Sequence, residues 1–174
     1  MTPPLRTAVG VLGGLIFATA GAIMGSQNAG WFALERNANG VLPVCGIGAG
    51  LVVLAFARGS FSTAVAQVGK VGKTARVLIV VGCVTYILSW LIQFAIIGTL
   101  TLGIGLVCLA VAVTRHKLVP MIDRVLIILS AVGSLTWNTE TVSAFLLVGI
   151  GLIWLILTIR LVPTDSIDQL RVDI

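Results

Sequence analysis

The side chains that most often do chemistry are few in this chain and poorly placed for it. Its acids are Glu35, Asp123, Glu140, Asp165, Asp168 and Asp173, and His116 is the sole histidine. Acid–base catalysis, metal binding or proton relay needs such groups to converge. Asp123 and Glu140 instead stand where helices are expected to begin, and an acid there complements the positive end of the helix dipole. His116 lies between Arg115 and Lys117, a setting that suits solvation better than haem or metal ligation. Cys45, Cys83 and Cys108 form no CxxC, and an odd, scattered set indicates neither a zinc site nor a disulfide framework. Neither an HExxH nor a serine with a histidine partner is found. The expectation is no catalytic residue, no metal, no cofactor and no enzymatic activity.

Composition explains the scarcity. The 174 residues are 58% hydrophobic and 10% charged, where soluble domains run at ~45–50% (glycine included) and ~25%. Mean hydropathy is +1.14. So few charges cannot coat an 18.1 kDa globule in water. Lipid must be the main solvent, and the chain reads as an integral membrane protein.

Charge-free runs then locate the elements. Val77 to Thr114 holds no Asp, Glu, Lys, Arg or His and is long enough for two spans of roughly 20 residues, with a bend expected at Gly98-Thr99-Leu100-Thr101. Val125 to Ile159 is interrupted only at Trp137-Asn138-Thr139-Glu140, giving two more. Upstream, Thr7 to Gly25 and Gly40 to Ala57 flank a polar loop, and Pro43 falls in a first helical turn, where its missing N–H costs little. The prediction is an all-α polytopic membrane protein, a single bundle over 1–174. Its six transmembrane helices fall at about 7–25, 40–57, 77–97, 100–114, 121–137 and 141–162, and 163–174 form a cytoplasmic tail.

Of the eleven Lys and Arg, all but Arg36 fall on one side of this arrangement. That bias puts both termini in the cytoplasm and the protein in a plasma membrane of the bacterial inner type. It also explains the net charge of +5 through anionic lipid on the cytoplasmic side, without nucleic acid. Arg6, the apolar core and the small residues around Ala18 to Ala22 also fit a secretory signal peptide. The apolar stretch runs on to Met24, so it is read as a retained span.

The helices repeat in pairs. Arg76-Val77-Leu78-Ile79 opens the third and Arg124-Val125-Leu126-Ile127 the fifth, with Arg6-Thr7-Ala8-Val9 a looser relative at the first. The second helix of each pair carries Gly-Ile-Gly, at Gly46–Gly48, Gly103–Gly105 and Gly149–Gly151, and ends at Arg58, Arg115 or Arg160. Two-helix units re-enter from one side, so the copies are parallel repeats, unlike the inverted repeats of many secondary transporters. Three such hairpins, basic at every cytoplasmic end, resemble the HdeD-type acid-resistance membrane proteins. The resemblance implies a six-span helical fold and carries no residue-level mechanism.

Other features concern packing and lipid. Gly10, Gly14, Ala18 and Ala22 recur every fourth residue, a stripe that lets another helix approach closely. Its partner is either a helix of this chain or a second copy in a homo-oligomer or larger membrane complex. Between the second and third helices, Phe61, Ala64, Val65, Val68 and Val71 follow a 3–4 rhythm that suits a short helix at the headgroups. Gly69 and Gly72 weaken it, and an irregular basic loop is the alternative. Lys70, Lys73 and Arg76 are expected to face lipid headgroups. Trp90 and Trp154, with Tyr86, Gln93 and Thr136, are candidates for lining a cavity for an apolar ligand, and packing in the core or against lipid is the preferred reading of the aromatic ones. The functional expectation is a small non-catalytic structural, stress-related or accessory subunit, with a carrier or channel for a neutral or lipid-like solute as the alternative.

Overall fold

The computed structural model describes the backbone of residues 2–31, 41–57, 59–88, 92–136 and 141–163, with side chains except at 3, 92–95 and 141–143. The described residues form seven helices and no strand: α1 (Pro3–Asn28), α2 (Val41–Phe56), α3 (Ser60–Gln67), α4 (Lys70–Ile87), α5 (Ile92–Arg115), α6 (Met121–Thr136) and α7 (Thr141–Leu161). Three stretches are helical, long and apolar enough to cross a membrane: Pro4–Asn28, Ile96–Arg115 and Ala144–Leu161. The pair α2 and α3, bent by 84°, would count as a fourth, broken span. Fewer than six helices therefore pass on length and composition alone. α2 and α6 have 16 residues each, roughly 24 Å of helix, and α4 opens with Lys70, Lys73 and Arg76.

The six longer helices close a ring in the order α1, α2, α4, α5, α6, α7, with α7 returning to α1. Neighbours run antiparallel: Gly10 meets Thr158 and Gly21 meets Leu147 across α1 and α7, while Gly98 meets Tyr86 and Gly105 meets Ile79 across α5 and α4. Glycine sets these separations, since lipid offers no hydrophobic drive between helices and dispersion at close range must hold them. A Cβ on Gly13 would lie 2.6 Å from the Gly48 carbonyl oxygen, and one on Gly48 2.8 Å from that of Gly13. The α1 stripe meets α7 within the same chain. A Cβ on Gly14 would come 2.9 Å from the Gly151 oxygen, and one on Gly151 2.8 Å from Ala18 Cβ. Gly10 abuts Thr158, and Ala22 is half-buried.

The Gly-Ile-Gly motifs do equivalent work in the first two hairpins. Gly46 seats α4, the first helix of the next hairpin, and Gly48 seats α1, its own partner. Likewise Gly103 faces Leu135 of α6, the next hairpin, and Gly105 faces Ile79 of α4, its own partner. The third motif departs. Gly149 has nothing within 4 Å, and Gly151 turns to α1.

Two boundaries correct the sequence reading. The chain does not turn at Gly98–Thr101, because that segment lies inside α5, and the third and fourth long helices run 70–87 and 92–115 instead of 77–97 and 100–114. Gly98 is a contact residue: a Cβ there would lie 2.9 Å from Tyr86 N and 3.1 Å from Thr85 Oγ1. At the other end, α1 begins at Pro3, with proline in its first turn, so Arg6 is buried within the helix and is not in a flank before it. The amphipathic segment between α2 and α4 is helical only over Ser60–Gln67, burying Phe61, Ser62 and Val65. Gly69 ends the run with φ +88°, a left-handed conformation that glycine adopts at little cost. Val71 then belongs to α4, and Gly72 packs on the Val65 carbonyl.

Candidate functional site

Inside the ring lies an apolar cavity of about 160 Å³. α2 supplies Ala49, Val52, Val53 and Phe56, and α5 supplies Leu102, Leu106 and Leu109. Ile127 and Ser130 come from α6, and Trp154, Leu157 and Leu161 from α7. α3 lies across its basic end with Phe61, Ser62 and Val65, and Phe61 packs edge-on against Phe56 at 5.6 Å between ring centroids. α4 contributes Ile79, Val80 and Arg76, the one charged residue in the lining.

Trp154 organises one wall. Its ring lies 4.6 Å from that of Phe17 between centroids. Its indole Nε1–H donates to Ser130 Oγ at 2.6 Å, satisfying a donor that apolar surroundings could not. Ser134 Oγ donates to the Ser130 carbonyl at 2.7 Å, and Thr158 Oγ1 to the Trp154 carbonyl at 2.7 Å. The polar groups of this wall are therefore occupied by one another and present an apolar surface inward.

At the basic end, α6 and α7 are tied by charge. Arg160 donates through Nε to Asp123 Oδ1 at 2.5 Å and through Nη2 to Oδ2 at 3.3 Å. The Asp123 side chain is 2% exposed and that of Arg160 42%, so the guanidinium shields the carboxylate while keeping its own access to water. A buried carboxylate needs such a partner. Arg124 Nε donates to the Val119 carbonyl at 2.7 Å, closing the turn before α6.

The expected site residues are only partly brought together. Tyr86 is buried, but between α2 and α5, in contact with Gly46 and Gly98 and hydrogen-bonded to Thr99. Thr136 is exposed and donates to the Val132 carbonyl at 3.0 Å. Neither lines the cavity, and Trp90 and the Gln93 side chain lie outside the described residues. Glu35, Trp137 and Glu140 also lie outside them. Lys70, Lys73 and Arg76 are exposed on the first turns of α4. His116 is exposed, Cys45 and Cys83 are buried and Cys108 is half-buried. Among the described residues no three His, Cys, Asp or Glu gather as metal ligands.

Two links were missed by the sequence reading. The Asp123–Arg160 pair carried a signal, since a hairpin brings the start of its first helix beside the end of its second. The Trp154–Ser130 bond carried none, because helix rotation is not fixed by composition. No protein family, curated protein or solved structure matches the chain.

Proposed function

We propose that the protein spans a bacterial-type inner membrane six times, with both ends cytoplasmic, and holds an apolar, lipid-like molecule inside its helix ring. In this reading it is a non-catalytic carrier or accessory component. The cavity carries the proposal. At about 160 Å³ it resembles the ~150 Å³ apolar cavity that stays dry and binds benzene in an engineered protein. The apolar side chains that line it have no protein partner where the space lies, so dispersion contacts are missing there. An apolar occupant would restore those contacts. The polar lining that remains, Ser62 and Arg76, offers a place to bind and no acid–base pair to turn a substrate over.

The six-span topology is supported by the antiparallel ring. It gathers Arg6, Lys70, Arg76, Arg115, Arg124 and Arg160 at one end of the bundle, where the positive-inside rule puts the cytoplasm. The shorter helices are accommodated by local bilayer thinning and by snorkelling of long basic side chains. Reporter fusions at Ile174 and within Ala33–Ala38 should read inside and outside respectively. An external C-terminus would end the six-span proposal.

Binding is tested by filling the space. Full-length protein released gently from membranes should retain a small apolar or lipid molecule in native mass spectrometry. Leu106→Trp, placing an indole in the cavity, should abolish that retention while leaving the helical circular dichroism spectrum intact. Equal retention by a folded Leu106→Trp variant would refute the reading.

A further inference from the structure

We propose that the cavity takes the hydrocarbon chain of an anionic lipid through a crevice between α2 and α4, with the headgroup held by Arg76. This rests on the cavity being a binding site, and adds its access route and the charge class of its ligand. The two helices touch at one end and part at the other. A Cβ on Gly46 would lie 2.6 Å from the Ile87 backbone nitrogen, whereas one turn on, at Gly50, only the tip of Ile87 comes near, at 3.7 Å. Beyond that point, towards the basic end, the lining residues reach the surface. Ala57, Arg76 and Val80 are exposed although they line the cavity, and Val53 is half-buried.

The banks of the crevice are suited to hydrocarbon. Val80, which lines the cavity, is 49% exposed, and Leu54 and Val77 on the same stretches of α2 and α4 are 58% and 61% exposed, so in a bilayer these side chains face lipid. Arg76 stands one turn from Val80 along α4, roughly 6 Å. It has no hydrogen bond or ion pair among the described residues, leaving its planar fork to an anion. Lys73 and Lys70 precede it on exposed turns, which places the site at headgroup level with a positive field. A cavity of about 160 Å³ admits part of one chain, so the rest of the lipid stays in the bilayer. α3 closes the space beneath through Phe61 and Val65.

The test compares headgroups on identical chains. Full-length protein in mild detergent is incubated with dioleoyl phosphatidylglycerol or dioleoyl phosphatidylcholine, and retained lipid is counted by native mass spectrometry. The wild type should prefer phosphatidylglycerol by about fivefold, the effect of one basic residue facing an anionic headgroup. Arg76→Gln, a change at an exposed position, should keep the helical circular dichroism spectrum and lose the preference but still retain lipid. Lys70→Gln, further from the crevice, should keep it. Val53→Trp, narrowing the crevice, should lower retention of both lipids. Equal binding of the two lipids by the wild type, or a preference that survives Arg76→Gln or vanishes with Lys70→Gln, overturns this inference. If Val53→Trp and Leu106→Trp still reduce retention, the binding site itself stands. Should neither reduce it, the cavity proposal falls as well.

Discussion

Gly14→Leu will leave little folded protein in detergent, while Gly149→Leu will be tolerated. Both glycines sit in apolar helices of the same bundle, and both changes add the same side chain. At Gly14 even a Cβ would press on the Gly151 carbonyl at 2.9 Å and on Leu155 Cβ at 3.0 Å. A leucine there must force α1 from α7, at or beyond the upper end of the roughly 1–3 kcal/mol usual for overpacking. A Cβ on the exposed Gly149 meets nothing within 4 Å, so a leucine there has room to extend outward and gains up to ~1 kcal/mol of helix propensity. Thermal unfolding followed by tryptophan fluorescence separates the two. Equal midpoints would mean that α1 does not pack on α7 through its small-residue stripe.

Trp154→Ala is expected to be the costliest truncation in the interior, at about 3–5 kcal/mol for a buried tryptophan. The ring is 6% exposed, packs on Phe17 and joins α7 to α6 through Ser130. Its loss would also enlarge the cavity, so the variant should retain a bulkier apolar molecule than the wild type. Trp154→Phe should fall between, keeping most of the packing but leaving Ser130 Oγ without its donor. Unfolding midpoints in detergent measure the order. A Trp154→Ala protein as stable as the wild type would place that ring against lipid.

What the sequence made legible was what depends on composition and on local spacing. The all-helical fold and its long apolar helices followed from the missing charges, while Gly-Ile-Gly marked equivalent helix contacts in two of its three occurrences. The α1 stripe announced its packing role, because small residues every fourth position mark one face. The misplaced turn shows the limit. Gly98 signals a bend as readily as a close helix contact, and its partner Tyr86 is known only once α4 and α5 are aligned. The cavity was illegible for the same reason. Trp154 was a candidate by type and does line it, but Leu102 and Leu106 are ordinary apolar residues, and which of them face one space depends on rotations that composition cannot fix in lipid. Tyr86 and Thr136 were candidates for the lining on side-chain type alone, against a preferred reading as packing residues, and they went to a helix interface and to the surface.

The closure of the ring by α7 on α1 bears on how the protein is made. Among the described residues this is the most extensive helix interface, yet it joins α1 to α7, with every other described helix made between them. While ribosomes deliver the five helices between, the glycine face of α1 can be matched only in part, by α2 at Gly13 and, through Ala55, at Gly10. The face from Gly14 to Gly25 waits in lipid for Gly151, Leu147 and Phe145 to arrive. Contacts of such long sequence separation form late. An unfinished chain therefore carries an open, close-packing surface, and during biogenesis it is this surface, more than any loop, that quality-control proteases and insertion chaperones would meet.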